Sequence, residues 1–214
     1  MDAVLDNLDA FGAGLGETLK LSLISFIIAM LIGFVIASFR VSPVAPLRAA
    51  GLVYVEVFRN IPLTAFFALA VFGLPKVGLT ISFFTFAVTV LSMYTGAFIS
   101  EALRSGINTV ATGQAEAARS IGLTFGQTLL VVVLPQALRT VVQPIGSLFI
   151  ALAKNSSIAS LFAVVELTST FDQLTDQESA TLPLLLGTIV CYLLITLPAG
   201  AATAFVERRV AFKR

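Results

Sequence analysis

Residues 21–39 run without a single charge, bounded by Lys20 and Arg40. A run of that kind is long enough to cross the hydrocarbon of a bilayer. Inside hydrocarbon every backbone N–H and C=O must be satisfied within the structure, which selects helix for such a segment. A second uncharged run, 179–206, repeats the constraint near the other end. Composition extends it to the whole chain. Of the 214 residues 57% are hydrophobic and 12% charged, against about 25% charged in soluble domains. The expectation is an all-α integral membrane protein, a single transmembrane domain over 1–214.

Five spans are expected, at about 19–40, 49–74, 79–103, 128–153 and 179–206. Ser42, Pro43 and Pro46 mark the first loop, and Gly73, Pro75 and Gly78 the second. Pro62 is a weakness in span two, and Pro135, Arg139 and Pro144 interrupt span four. Residues 1–17 hold Asp2, Asp6, Asp9 and Glu17 and no basic residue, unlike a secretory signal, so a short amphipathic or loose leader is expected. Cationic residues orient the chain. Arg40, Arg48, Arg104, Arg119, Arg208, Arg209, Lys213 and Arg214 fall on one side. Lys76, Lys20 and Lys154 fall on the other, among Asp172, Asp176 and Glu178. The N-terminus is therefore expected outside and the C-terminus in the cytoplasm.

Several chemistries are excluded or weakened. The chain has no His, which removes histidine bases and histidine metal ligands. The single Cys191 lies in an apolar run and reads as a small buried hydrophobe. No catalytic residue and no metal site are expected. The formal net charge of +1 points to no partner, and no nucleic acid is expected.

Between spans three and four, residues 112–127 form a polar interruption expected to face the cytoplasm. Thr112 can cap a short helix over 113–121, which Gly122 can end in a left-handed conformation. Thr124 and Gln127 have the spacing of a capping box ahead of an apolar run that reaches Leu134-Pro135. Helix, turn, helix is the expected result. Such a short helix is not stable alone in water, and Ala117 and Ala118 leave room for another surface. Glu116 and Arg119, one turn apart, can pair with each other or with a partner.

Ionisable residues inside spans are functional candidates by default. Glu56 and Arg59 are three apart and can neutralise one another, or Arg59 can face a pathway. Glu101 can pair with Arg104 at the interface or line a substrate cavity. The run Lys154, Asn155, Ser156 and Ser157 follows a span holding two prolines, and broken helices can line binding cavities.

The pattern Glu116-Ala117-Ala118, three residues, Gly122, nine residues, Val132, one residue, Leu134-Pro135 resembles the signature of ABC importer permeases. Val132 stands where isoleucine is usual. Residues 54–62, 96–101, 113–114, 134–139 and 154–157 resemble the branch that carries polar amino acids. Asn60 and Gln143 depart from it. The resemblance implies that the polar interruption is a coupling helix docking on a cytoplasmic ATPase dimer, through Glu116, Ala117, Ala118, Arg119, Gly122, Leu134 and Pro135. It also implies a second permease subunit, identical or related, and an extracytoplasmic substrate-binding protein. The expected site is the bacterial cytoplasmic membrane. No Gly-x-x-x-x-Gly-Lys-Ser/Thr loop occurs, so ATP and Mg are expected on the partner and no cofactor on this chain. The substrate pathway is expected at Arg59, Asn60, Glu101, Lys154, Asn155, Ser156 and Ser157, with a tilt to acidic or neutral polar amino acids such as glutamate. The alternatives are an ATP-independent secondary transporter or channel, which leaves the Glu116 segment unexplained, and a membrane scaffold, which leaves the intramembrane charges unexplained.

Overall fold

The computed structural model describes residues 2–178 and 180–210. Ser179, Lys213 and Arg214, which entered the span and orientation arguments, lie outside them. Four described helices are long and apolar enough to cross a membrane. They are α1 (Leu8–Val41), α4 (Phe83–Thr109), the continuous helical run α6 (Phe125–Phe162) and α8 (Thr181–Val210). Helices α2 (Ala45–Asn60) and α3 (Leu63–Ala68) belong to a bent pair that makes a fifth span if taken as one. The shorter helices that bear on the site are α5 (Thr112–Ser120) and α7 (Leu167–Gln177).

Three boundaries correct the sequence expectations. Residues 8–17, part of the stretch expected as a leader, belong to α1 itself. Span two is not a straight helix: its halves, Ala45–Asn60 and Leu63–Val77, meet at 103°. The break follows from Pro62. Its ring forces the preceding Ile61 out of the helical region, to φ −75° and ψ 134°. The second half then turns to bury Phe67, which stacks on Phe162 with ring centroids 5.4 Å apart. Span four, expected over about 128–153 with an interruption at Pro135, is not broken there. The helix runs through it by a π turn over Thr128–Val133, where the Leu134 N–H bonds the Leu129 carbonyl. The wide turn accommodates Pro135, which has no backbone donor, and the Gln136 amide donates to the Val132 carbonyl at 2.9 Å.

The core forms along α1 and α4. Ala29, Ala37, Ile99, Leu103 and Val141 pack at its middle, while Leu21, Phe67, Phe86 and Leu91 pack towards one end. Small residues set this spacing. A Cβ at Gly33 would lie 2.5 Å from Ile99 Cγ2, and one at Gly96 would lie 2.8 Å from Ile32 Cγ2. Van der Waals packing at small residues replaces the hydrophobic effect as the force between helices in lipid. Gly33→Ala should therefore overpack the α1–α4 seam and destabilise the chain by about 1–3 kcal/mol, read as a lower midpoint of thermal unfolding in detergent.

A third cluster, Phe11, Leu167, Leu174 and Leu184, joins α1, α7 and α8. Within it lies Glu166, fully buried, a residue the sequence reading passed over. It caps α7. Its Oε1 accepts the Ser169 N–H at 2.9 Å, its own N–H donates to Ser169 Oγ at 2.9 Å, and the Tyr192 hydroxyl donates to Oε2 at 2.8 Å. Burial pushes the Glu166 carboxyl up from its ordinary value of 4.5, because low dielectric disfavours the charged form. The folded state thus holds its proton more tightly than the unfolded state. That contribution to stability is complete below the ordinary carboxylate range and is lost as pH rises through the raised value. Glu166→Gln, which keeps the acceptor and the neutral charge, should flatten the decline in unfolding temperature as pH rises above about 4.5.

Candidate coupling surface and transport cavity

The short helix α5 is held at both ends by its own sequence. It starts one residue earlier than expected. Ala111 is the N-cap and makes no side-chain bond, with the Gln114 N–H bonding the Ala111 carbonyl at 3.0 Å, so Thr112 lies inside the helix. At the far end Gly122 takes φ +90°. The Gly122 N–H bonds the Arg119 carbonyl at 2.9 Å and the Leu123 N–H bonds the Ala118 carbonyl at 3.2 Å. This paired closure satisfies orphan carbonyls at a helix end and needs a left-handed residue where glycine stands. Thr124 and Gln127 form the reciprocal capping box that starts α6.

The two faces of α5 differ. Thr112, Ala115 and Arg119 line a cavity of about 470 Å³ between α5 and the spans, and Ala118 is buried. Gly113, Glu116, Ala117 and Ser120 are exposed. Glu116 and Arg119 make no ion pair with each other among the described residues. Leu134 is half-buried and Pro135 exposed, both within α6 beyond the π turn. Helix α5 therefore offers a small-residue face with one carboxylate, supported from behind.

A charged node ties three helices together behind it. Glu101 of α4 binds the guanidinium of Arg40, from the end of α1, and that of Arg104 on its own helix. Arg59, at the end of α2, stands 4.0 Å from Glu101 Oε2 and lies over the Phe98 ring at 5.3 Å. Arg59 thus turns to α4 and not to Glu56. The Glu56 carboxylate instead accepts the Asn60 amide at 3.1 Å. Arg40, read from the sequence only as a loop residue that orients the chain, is a principal partner of Glu101. Its spacing gave no sign, because the contact crosses 61 positions.

The sequence-derived pathway residues divide between two cavities. Arg59 and Glu101 line one of about 600 Å³ with Phe98, Ser105, Thr140 and Ser147. Lys154 and Ser157 line another of about 320 Å³ with Tyr192 and Thr196. Asn155 ends the α-helical part of α6 and lines neither. Asn60 lies outside both, its amide also donating to the Glu56 carbonyl at 2.7 Å. Ser156 is fully buried and donates to the Ala153 carbonyl at 2.9 Å, so it serves the turn into the 3-10 segment. Among the described residues no cluster of acids or thiols suits a metal ion.

Apolar spans around charged cavities, with a short exposed helix braced against them, define the membrane-embedded subunit of a transport system. The chain belongs to the family of binding-protein-dependent transport system inner membrane components, whose profile matches residues 29–212. It is a permease, located in the inner membrane, and such a system implies a substrate-binding protein and a separate ATPase. The chain is 36% identical to the probable glutamine ABC transporter permease protein GlnM of Bacillus subtilis (strain 168), over 97% of this chain and 96% of that one. It is 39% identical to the glutamate transport system permease protein GluC of Corynebacterium glutamicum, over 92% of each. The crystal structure of an amino acid ABC transporter with histidines superposes with a TM-score of 0.90 at 31% identity, over 96% of each chain. The MetNI methionine ABC transporter in an inward-facing form shares the fold, at TM-score 0.83 and 21% identity.

Proposed function

We propose that this chain, as one transmembrane domain, is the permease subunit of an ATP-driven importer of polar amino acids, acidic or neutral, with glutamate as the first candidate. One observation carries the reading: α5 keeps Glu116 and Ala117 exposed while its other face is braced on the spans. That arrangement suits a helix that receives force from another protein. A cytoplasmic ATPase dimer is the proposed source, binding ATP and Mg, and this chain binds neither. In this reading α5 and the C-terminal end of α8 lie in the cytoplasm and the N-terminus outside. A second permease, identical or related, completes the pathway, and an external binding protein delivers the substrate. ATP binding closes the ATPase dimer, α5 moves with it, and the spans rock to expose the cavities outward.

The substrate class follows from charge. The node holds Arg40, Arg59 and Arg104 around the single carboxylate of Glu101. Of these, Arg59 and Glu101 line the cavity of about 600 Å³, and Arg59, held 4.0 Å from Glu101, offers a substrate carboxylate charge-assisted bonds. Lys154 and Ser157 add donors in the second cavity. The test is reconstitution in proteoliposomes with the partner ATPase and binding protein. Uptake of glutamate or glutamine that requires ATP supports the reading. Uptake without ATP rejects it in favour of a secondary transporter.

A further inference from the structure

The cavity behind α5 has features that coupling does not use. Three guanidinium groups line it, Arg40 from α1, Arg104 from α4 and Arg119 from α5, and no carboxylate does. Glu101, which partners two of them, faces the other cavity. Glu116 lies on the exposed face of α5. The wall also contains Thr128, 3% exposed, whose Oγ1 has no hydrogen-bond partner among the described residues. A buried hydroxyl left unpaired costs about 1–3 kcal/mol, which a ligand oxygen in the cavity would recover. The remaining wall holds the polar Asn108 and Thr112 and is otherwise apolar, including Ile107, Leu129 and Val133.

This cavity does not end at its polar part. Val41, Ile107 and Leu129 are shared with a narrow apolar furrow that also runs between Phe34, Leu130 and Leu134. Phe34 and Leu130 are 41% and 60% exposed, on helices that cross the membrane, so the furrow opens toward lipid. A cationic cavity with an unpaired hydroxyl, continuous with a lipid-facing apolar furrow, matches one chemistry: a phosphate ester bearing an acyl chain.

We propose that the space between α5 and the spans is a binding site for an anionic phospholipid, its phosphate held by Arg119, Arg104, Arg40 and Thr128 and its acyl chain lying along the Leu130 furrow. The lipid fills the gap behind α5 and makes the helix a firmer support. The site goes beyond the transport reading and stands whether or not α5 couples to an ATPase.

The experiment is native mass spectrometry of the full chain, with whatever subunits purify with it, delipidated and then offered phosphatidylglycerol or phosphatidylcholine of the same acyl composition. One phosphatidylglycerol should be retained in preference to phosphatidylcholine by about tenfold, because the two share the phosphodiester but the choline ammonium is repelled by the three guanidinium groups. Arg119→Gln should lower that preference about tenfold and Arg119→Lys should keep most of it. Thr128→Val should weaken retention several-fold, about 1 kcal/mol as a lost hydrogen bond, while leaving the lipid-free protein at least as stable, because it removes an unpaired hydroxyl. A destabilised lipid-free Thr128→Val would mean that the hydroxyl serves the fold, and would overturn its place in the site. Equal retention of the two lipids, or wild-type retention by both Arg119→Gln and Thr128→Val, overturns the proposal. Inorganic phosphate that raises the unfolding temperature of the delipidated chain as much as the lipid does would make the ligand a free anion and overturn it as well.

Discussion

Ala117→Arg is expected to abolish substrate-stimulated ATP hydrolysis in the reconstituted transporter while leaving the chain folded. Ala117 is exposed on the α5 face turned away from the braced one. Arginine is a good helix former, so α5 itself tolerates it. The closure at Gly122 and the capping box at Thr124 are untouched, and the unfolding temperature should stay within about 2 °C of the parent. A docked surface does not tolerate the added bulk. Overfilling the centre of a packed interface costs at least the roughly 2 kcal/mol of a hot-spot loss, about 30-fold in binding. Uptake should fall by the same factor or more, whereas the basal hydrolysis of the isolated ATPase should not change. Stimulation that survives in Ala117→Arg would mean that α5 is not where the ATPase pushes.

Glu101→Gln attacks the node itself. It leaves Arg40, Arg59 and Arg104 with no carboxylate between them. Removing one partner of a largely buried ion pair costs about 3–5 kcal/mol, because the remaining charge is stranded. The Arg40 side chain is only 13% exposed, so little water can replace the lost partner. For a chain of this size the loss corresponds to roughly 6–20 °C in unfolding temperature. Adding Arg40→Gln should recover part of the loss, since it removes the most buried stranded cation. That recovery is the coupling energy of a double-mutant cycle, expected within about 0.5–3 kcal/mol. Additive losses in the double variant would show that Arg40 and Glu101 do not depend on one another. The cavity also tests the substrate argument: Arg59→Gln should raise the apparent KM for glutamate more than that for glutamine, because Arg59 is the cation in its lining.

How much of this was legible beforehand depends on whether a feature is local. The closure of α5 at Gly122 and the Thr124–Gln127 box were readable because each is decided within a few residues by backbone chemistry. The apolar spans were readable because lipid enforces length and hydrophobicity on each one separately. The bend at Pro62 was half legible. Proline announces a break, but the 103° turn is set by where Phe67 finds Phe162, on the far side of the sequence. The π turn at Thr128–Val133 was not legible, because a proline in an apolar run reads equally as an end or a kink. Proximity along the chain offered Glu56 as a partner for Arg59, beside the alternative that Arg59 faces a pathway, and could not show Glu101. Glu56 is three residues away, yet Glu101 lies nearer in space. Glu166 left a faint trace in its three-residue spacing to Ser169, which resembles a capping box, but its neighbour Tyr192 sits 26 positions on.

The unbroken run of α6 has a mechanical meaning. Its 38 residues form a rod of about 57 Å at 1.5 Å per residue. One end is tied to α5 by a short elbow through Gly122, and the other carries Lys154 and Ser157. Near its middle the rod is pinched. Val141 presses on the backbone of α4 at Gly106, and Thr203 of α8 presses on Gly146. In the proposed coupling, a bar held at its centre would turn a push at one tip into an opposite swing at the other. The glycines at 106 and 146 then mark the fulcrum, and the side chains that rest on them set how far the lever can travel.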